Sequence, residues 1–378
     1  MSNRRTVFLA SPYGQVGGGM GSIMVYLASM PRGPADRFDL RRLESRGGGH
    51  IAFSPVFLAV AVGRILLEAA RGRLAVVHLN LAERGSVYRK AVLLAATKLS
   101  GGRALLHLHA AQLVQSYATT GWFGKAVLRW MFRSADHCVV LGDVWRRWLV
   151  DTFGVRPNRV GVIYNGVPAT MSKPRAANRD GRFRLLFVGN LLERKGVKDL
   201  LRAFASSELL ARDIVLTMAG GGPVDTYRAM AAELGIGDRV IFTGWVGQDD
   251  ARALMLNSDA LILPAYDEGL PLVILEALAS RTPVICTPVG SIPEVLEDGR
   301  TALFVSPGDE RGIASAILTL LDRPEIGRGL SEAGLLLYER LFTMEAFARS
   351  IESLYDMLTP RMGTTASAAW PSVEGGRR

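Results

Sequence analysis

The sequence predicts an α/β protein of two domains, each a parallel sheet covered on both faces by helices. Three observations carry that expectation. At 378 residues the chain exceeds the roughly 250 to 300 residues at which a single core stops growing. Short apolar runs alternate with helical stretches through both halves, the pattern of a parallel sheet with crossover helices. Between the halves, residues 170–182 are polar, basic and without periodicity, which marks a linker. Two domains also offer a cleft.

In chain order, TVFLA at residues 6–10 reads as the first strand. It turns to Pro and Gly after too few apolar residues for a secretory signal peptide. A helix follows from about Gly21 to Ala28. The greasy stretch 51–63 is interrupted by Ser54 and Pro55 and ends at Arg64, well short of the roughly 20 residues that a membrane span requires. LAVVHLNL, ALLHLHA, HCVVLG and VGVIYNG supply the remaining strands of the first half. In the second half FRLLFVG, DIVLTMAGGG, RVIFTGW, DALILPA and PVICTPVG read as strands, separated by helical stretches such as KDLLRAFASSELL and LPLVILEALAS. The expected division is a first domain at 1–169, the linker at 170–182 and a second domain at 183–343. A helix at 344–360 is expected to pack back toward the first domain. Residues 361–378, rich in Gly, Ser, Ala and Thr, are expected to be disordered.

Composition bounds the function. Hydrophobic residues at 49% and charged residues at 21% describe a globular chain, with a mean hydropathy of +0.19 on the greasy side. Cys138 and Cys286 sit inside apolar runs and read as buried strand residues, which fits a reducing compartment. The charge is asymmetric: residues 1–180 hold 25 Lys and Arg against 9 Asp and Glu, whereas 181–378 hold 20 against 26. An anionic partner of the first domain is therefore expected, such as a membrane surface, a lipid phosphate or a nucleic acid. Aromatic and basic residues interleave at Trp122, Phe123, Lys125, Arg129, Trp130, Met131, Phe132 and Arg133, and again in VWRRWL, a composition that suits either an interfacial helix or a core with solvated cations. A nucleic-acid-binding protein has only the high pI of about 9.9 in its favour, because no aromatic and basic module of known type is present.

The candidate site residues lie where predicted strands end. Gly17, Gly18 and Gly19 lie between a strand and a helix, where side-chain-free backbone can approach an anion; a tight turn without a ligand is the alternative. His107 and His109 share one strand face, and His109 lies nearer the ligand-binding edge of the sheet, with a packed or capping histidine as the alternative. Gly189 ends a strand, and the adjacent cations Arg194 and Lys195 suit a diphosphate, with a solvated basic loop as the alternative. Gly220 and Gly221 close the next strand and permit close approach of a ligand or of another chain segment. Glu268 and Glu276 flank Gly269, Leu270 and Pro271, with Pro271 suited to a helix start. That spacing sets the second carboxylate about one and a half turns along the helix, roughly 8 Å from the first. The N–H groups of Gly269 and Leu270 would then face phosphate oxygens.

This ordered series resembles glycosyltransferase family 4, the retaining enzymes of GT-B fold with two Rossmann-like domains, over nearly all of residues 6–358. Asn165-Gly166-Val167 and Phe242-Thr243-Gly244 belong to the likeness, whereas Pro168 and the order Gly290-Ser291-Ile292-Pro293-Glu294 depart from the usual pattern. The resemblance implies a nucleotide diphosphate sugar as donor and retention of configuration. It also implies that Glu268 contacts the transferred sugar, Glu276 holds the ribose, and Arg194 and Lys195 neutralise the leaving diphosphate. By the same likeness His109 approaches the reacting centre. No Asp-x-Asp pair occurs, so neither a metal nor another cofactor is expected, and the cations and the helix N-terminus would stabilise the leaving group. With the basic first half, the expected acceptor is a lipid-linked saccharide, and the expected location is the cytoplasmic face of the membrane. A nucleotide-sugar epimerase of the same fold is the alternative.

Overall fold

The structure is a computed structural model that describes residues 4–12, 18–31, 36–47, 51–82, 85–109, 112–170 and 181–360. Gly17, most of the expected linker and the tail at 361–378 lie outside the described residues. The chain forms two compact units. One comprises residues 1–166 with 344–378, and the other residues 167–343.

In the first unit the strands are β1 (Arg5–Ala10), β2 (Phe38–Leu43), β3 (Leu74–Leu81), β4 (Arg103–Leu108), β5 (His137–Val140) and β6 (Val160–Val162). They form one parallel sheet in the order β2-β1-β3-β4-β5-β6. Every residue of β3 is buried, as expected of a central strand covered on both faces. The helices are α1 (Gly18–Ser29), α2 (Ser54–Ala70), α3 (Gly85–Leu99), α4 (Gln112–Thr119), α5 (Trp122–Ser134) and α6 (Asp143–Phe153). Helix α6 ends on Gly154 at φ 66°, a left-handed turn that glycine adopts without strain. Three sequence readings change here. Helix α1 begins at Gly18, so Gly18 and Gly19 form its first turn instead of a loop before it. Residues 54–70 are a helix, although most of their outward positions are apolar. The aromatic clusters divide: Trp122, Phe123 and Trp130 are exposed, Met131 and Phe132 are core, and Trp145 and Trp148 pack against that core.

The second unit repeats the plan with β7 (Phe183–Val188), β8 (Ile214–Ala219), β9 (Val240–Gly244), β10 (Ala260–Leu263), β11 (Val284–Cys286) and β12 (Leu303–Phe304), in the order β12-β11-β10-β7-β8-β9. Its helices are α7 (Val197–Phe204), α8 (Ser207–Leu210), α9 (Val224–Glu233), α10 (Gln248–Leu256), α11 (Leu272–Ala279), α12 (Ile292–Val295), α13 (Glu310–Asp322) and α14 (Pro324–Leu341). Helix α13 is capped by Asp309, which accepts the Gly312 N–H at 2.9 Å, and α14 opens with a proline. The last helix, α15 (Met344–Leu358), belongs to the first unit. There Asp356 pairs with Arg37, and the Tyr355 hydroxyl lies 2.7 Å from His78 Nδ1. Cys138 and Cys286 are buried free thiols on β5 and β11.

Candidate active site

In the second unit the chain leaves β7 toward β8 and β9, then returns to lay β10 on the opposite side of β7. Loops diverge at such a reversal and leave a crevice at the carboxyl ends of the strands. The loop after β7 ends in a single 3-10 turn, Glu193–Lys195, followed by Gly196 at φ 69°. A Cβ on Gly196 would collide with the Pro264 carbonyl, so glycine allows the loops after β7 and β10 to meet. There Lys195 Nζ pairs with the Glu268 carboxylate, and Arg194 Nη1 lies 3.7 Å from the same oxygen. Arg194 also donates to the Asp267 carbonyl at 3.2 Å, and the Tyr266 N–H donates to the Arg194 carbonyl at 2.8 Å. The structure thus brings Arg194, Lys195 and Glu268 together across the reversal. Asp267 is held above the usual carboxylate range by burial and by the neighbouring Glu268, and its Oδ2 is buried without a hydrogen-bond partner.

The glycines knit the adjoining loops. A Cβ on Gly220 would overlap the Gly189 carbonyl, the Leu191 N–H donates to Gly221 at 2.7 Å, and the Gly220 N–H donates to Gly244 at 2.8 Å. Gly189, Gly220 and Gly221 therefore stand at the same sheet edge as the cations. Gly269 and Leu270 are buried, and among the described residues neither N–H has a protein acceptor. From beside them the chain enters α11, whose first residue is Leu272; Glu276 thus stands about one turn along, short of the expected one and a half. Burial pushes the Glu276 carboxyl up to about 7 against the opposing charge of Arg252. The contacts that join Lys195, Arg194 and Glu268 do not extend to Glu276. The departure at 290–294 preserves the turn. Gly290 at φ 59° lies so close to the Glu268 carbonyl that a Cβ would overlap it, and the Ser291 N–H donates to Gly269 at 2.9 Å.

Two residues at this edge escaped the sequence reading. Asn190 follows Gly189, and its Oδ1 would be 3.5 Å from a Cβ on Gly221; Trp245, 56% exposed, borders the same glycine. An exposed aromatic directly after the strand-ending Gly244 is the signal that could have found Trp245. Among the described residues, no group of three or more His, Cys, Asp or Glu side chains could hold a metal ion.

In the first unit His109 follows β4, and its Nε2 lies 2.8 Å from Asn80 Oδ1 on β3. With the amide as assigned, Nε2 carries the proton and Nδ1 keeps its lone pair. The His107 ring lies 3.9 Å from the His109 ring, and His107 Nδ1 is 3.1 Å from His78 Nε2. Burial lowers His78 and His109 to about 3 and His107 well below the usual value, so all three are neutral at physiological pH. Gly18 and Gly19 open α1 after β1.

Two Rossmann-like units, the second with charged residues gathered at its strand reversal, define the GT-B class. The chain belongs to glycosyltransferase family 4: residues 170–336 match the family model "Glycosyl transferases group 1", and residues 6–166 match "Glycosyl transferase 4-like domain". Glycogen synthase of Mycobacterium tuberculosis is 30% identical over 218 residues, covering 54% of this chain and 52% of the relative. The chain thus spans about half the length of the curated relatives that it matches. Among solved structures, sucrose-phosphate synthase from Thermosynechococcus elongatus superposes with a TM-score of 0.76 at 20% identity, over 94% of this chain and 99% of that one. HepE of Anabaena, in complex with UDP and glucose, superposes at 0.73 and 16% identity over 93% and 99%.

Proposed function

We propose that the protein is a retaining, metal-independent glycosyltransferase. It moves a hexose from a UDP- or GDP-linked donor to a hydroxyl of a polyprenyl-diphosphate-linked glycan, in bacterial surface polysaccharide synthesis at the cytoplasmic face of the membrane. The observation that carries this reading is the convergence of Arg194, Lys195 and Glu268 beside the unclaimed N–H groups of Gly269 and Leu270. Cleavage of a sugar–phosphate bond leaves negative charge on the diphosphate, and fixed cations and amide dipoles stabilise it without reorganising. Glu268 faces the opposite partner, the sugar ring on which positive charge develops. Glu276 accepts from the ribose hydroxyls. In the first unit, neutral His109 keeps an acceptor nitrogen, as suits a residue that the resemblance assigns to the reacting centre. The UDP and glucose of the HepE complex support a UDP-linked donor.

The test is a screen of UDP- and GDP-hexoses against lipid-linked acceptors, with and without EDTA. Transfer that persists in EDTA is expected. Strict loss in EDTA would overturn metal independence, and free epimerised nucleotide sugar from donor alone would overturn the transferase reading.

A further inference from the structure

Among the described residues, the first unit carries a group of cations with no carboxylate paired to them. Buried Glu68 and half-buried Asp136 in the same unit are well partnered: Glu68 accepts from Thr6 at 2.8 Å and pairs with Arg71 at 3.1 Å, and Asp136 takes Lys98 at 2.8 Å and Arg103 at 3.0 Å. Lys90 differs. It is 2% exposed on α3, and its one hydrogen-bond partner among the described residues is Ser45 Oγ at 3.5 Å. Among the described residues, the preceding residue, Arg89, has no ion pair, and its Nε is buried without a hydrogen-bond partner. Arg46, next to Ser45, lies close enough to press its charge on Arg89, and among the described residues it pairs with no carboxylate. Burial, with the Arg89 charge adding to it, lowers Lys90 to about 7. An ammonium withdrawn from water without an anion is unfavourable, and two neighbouring guanidinium groups make it more so.

The placement is that of a binding edge. A helical side chain leans toward the helix N-terminus, so Lys90 reaches back along α3 to Ser45, two residues beyond the end of β2. Helix α2 starts at the same point. Ser54 Oγ donates to the Arg46 carbonyl at 3.1 Å, and a Cβ on Gly47 would strike the Phe57 ring. From there α2 presents an open apolar face, with Phe53, Val56, Phe57 and Val60 all exposed.

We propose that Ser45, Arg46, Arg89 and Lys90 hold the diphosphate of a lipid diphosphate, and that the open face of α2 beside them takes the first part of its hydrocarbon chain. This inference rests on the lipid-linked acceptor proposed above and says where its diphosphate binds. Three cations suit a group with two or more negative charges. A free nucleotide would leave the apolar face of α2 uncovered. Ser45 and Lys90 are buried whereas Arg46 and Arg89 are partly exposed, so a diphosphate meets the two guanidinium groups first.

The experiment titrates farnesyl diphosphate and inorganic pyrophosphate onto the full chain by calorimetry. Wild type should bind farnesyl diphosphate more tightly than pyrophosphate. Arg89→Gln and Lys90→Met should each weaken both probes about tenfold or more. Val56→Ser with Val60→Ser should weaken farnesyl diphosphate alone. Lys90→Met replaces the ammonium with an apolar chain of similar length; should it fail to fold, the partly exposed Arg89→Gln carries the test. Absence of farnesyl diphosphate binding in wild type, or undiminished binding in the charge variants, would overturn the site. So would a double serine variant that binds farnesyl diphosphate as wild type does, or binding confined to anionic phospholipid vesicles. UDP titrated onto the same samples reads the second unit separately: UDP binding without farnesyl diphosphate binding sinks this site and leaves the donor reading standing.

Discussion

Replacing Glu276 with Gln should stabilise the ligand-free protein at neutral pH and do little in acid. The carboxyl titrates near 7 in the folded chain against an ordinary value of 4.5, because burial penalises its anion. The folded state therefore holds this proton more tightly than the unfolded chain does. The contribution is complete below pH 4.5 and is lost as pH rises through 7. The gap of 2.5 units corresponds to about 3 kcal/mol at full burial. Because Glu276 is only partly buried, screening by solvent reduces this to about 1.5 kcal/mol. For a unit of this size that is a shift of roughly 3 to 6 °C in melting temperature. Thermal melts of wild type and Glu276→Gln across the range from acid to mildly alkaline pH should show the variant pulling ahead as pH rises. A difference that is flat with pH, or that shrinks on the alkaline side, would refute the raised titration of this carboxyl.

Four further outcomes are expected. If Glu276 accepts from ribose hydroxyls, UDP binding near pH 7 should release about half a proton, seen by calorimetry in buffers of different ionisation enthalpy, and Glu276→Gln should release none. If Lys195 neutralises the leaving diphosphate as proposed, Lys195→Met should weaken UDP binding and slow transfer about 100-fold or more; unchanged initial rates would remove Lys195 from the site. Gly220→Ala should destabilise the second unit by about 1–3 kcal/mol in urea unfolding because its Cβ meets the Gly189 carbonyl, whereas Gly329→Ala on α14, with open space around it, should be neutral or stabilising. His109 should stay neutral down to about pH 4 by imidazole NMR, and titration near its ordinary value would contradict its burial.

The sequence exposed much of the fold because the strands that form the two sheet centres are short apolar runs bounded by glycine or polar residues. The β3 run LAVVHLNL and the β7 run FRLLFV read directly as strands. The β2 run FDLRRL did not, because an edge strand carries charges on its open side and shows little apolar signal. Helix α2 escaped for the opposite reason: its outward residues are as apolar as its inward ones, so no periodicity marks a face. Trp145 and Trp148 stand three residues apart, which placed them on one helix face, but composition alone could not say that this face meets the core.

Residue type and local spacing by themselves singled out the candidate donor-side residues. A glycine that ends a strand, paired cations in the next loop, and a carboxylate before a helix are each a property of a few consecutive residues. Tertiary structure alone decided which of them meet. Lys195 reaches Glu268 across 73 positions because the strand order reverses between β7 and β10, and Lys90 reaches Ser45 across 45 because α3 returns over the edge where β2 ends. The same packing decided which charges remain without a partner, since burial and counter-charge depend on segments far apart in the chain.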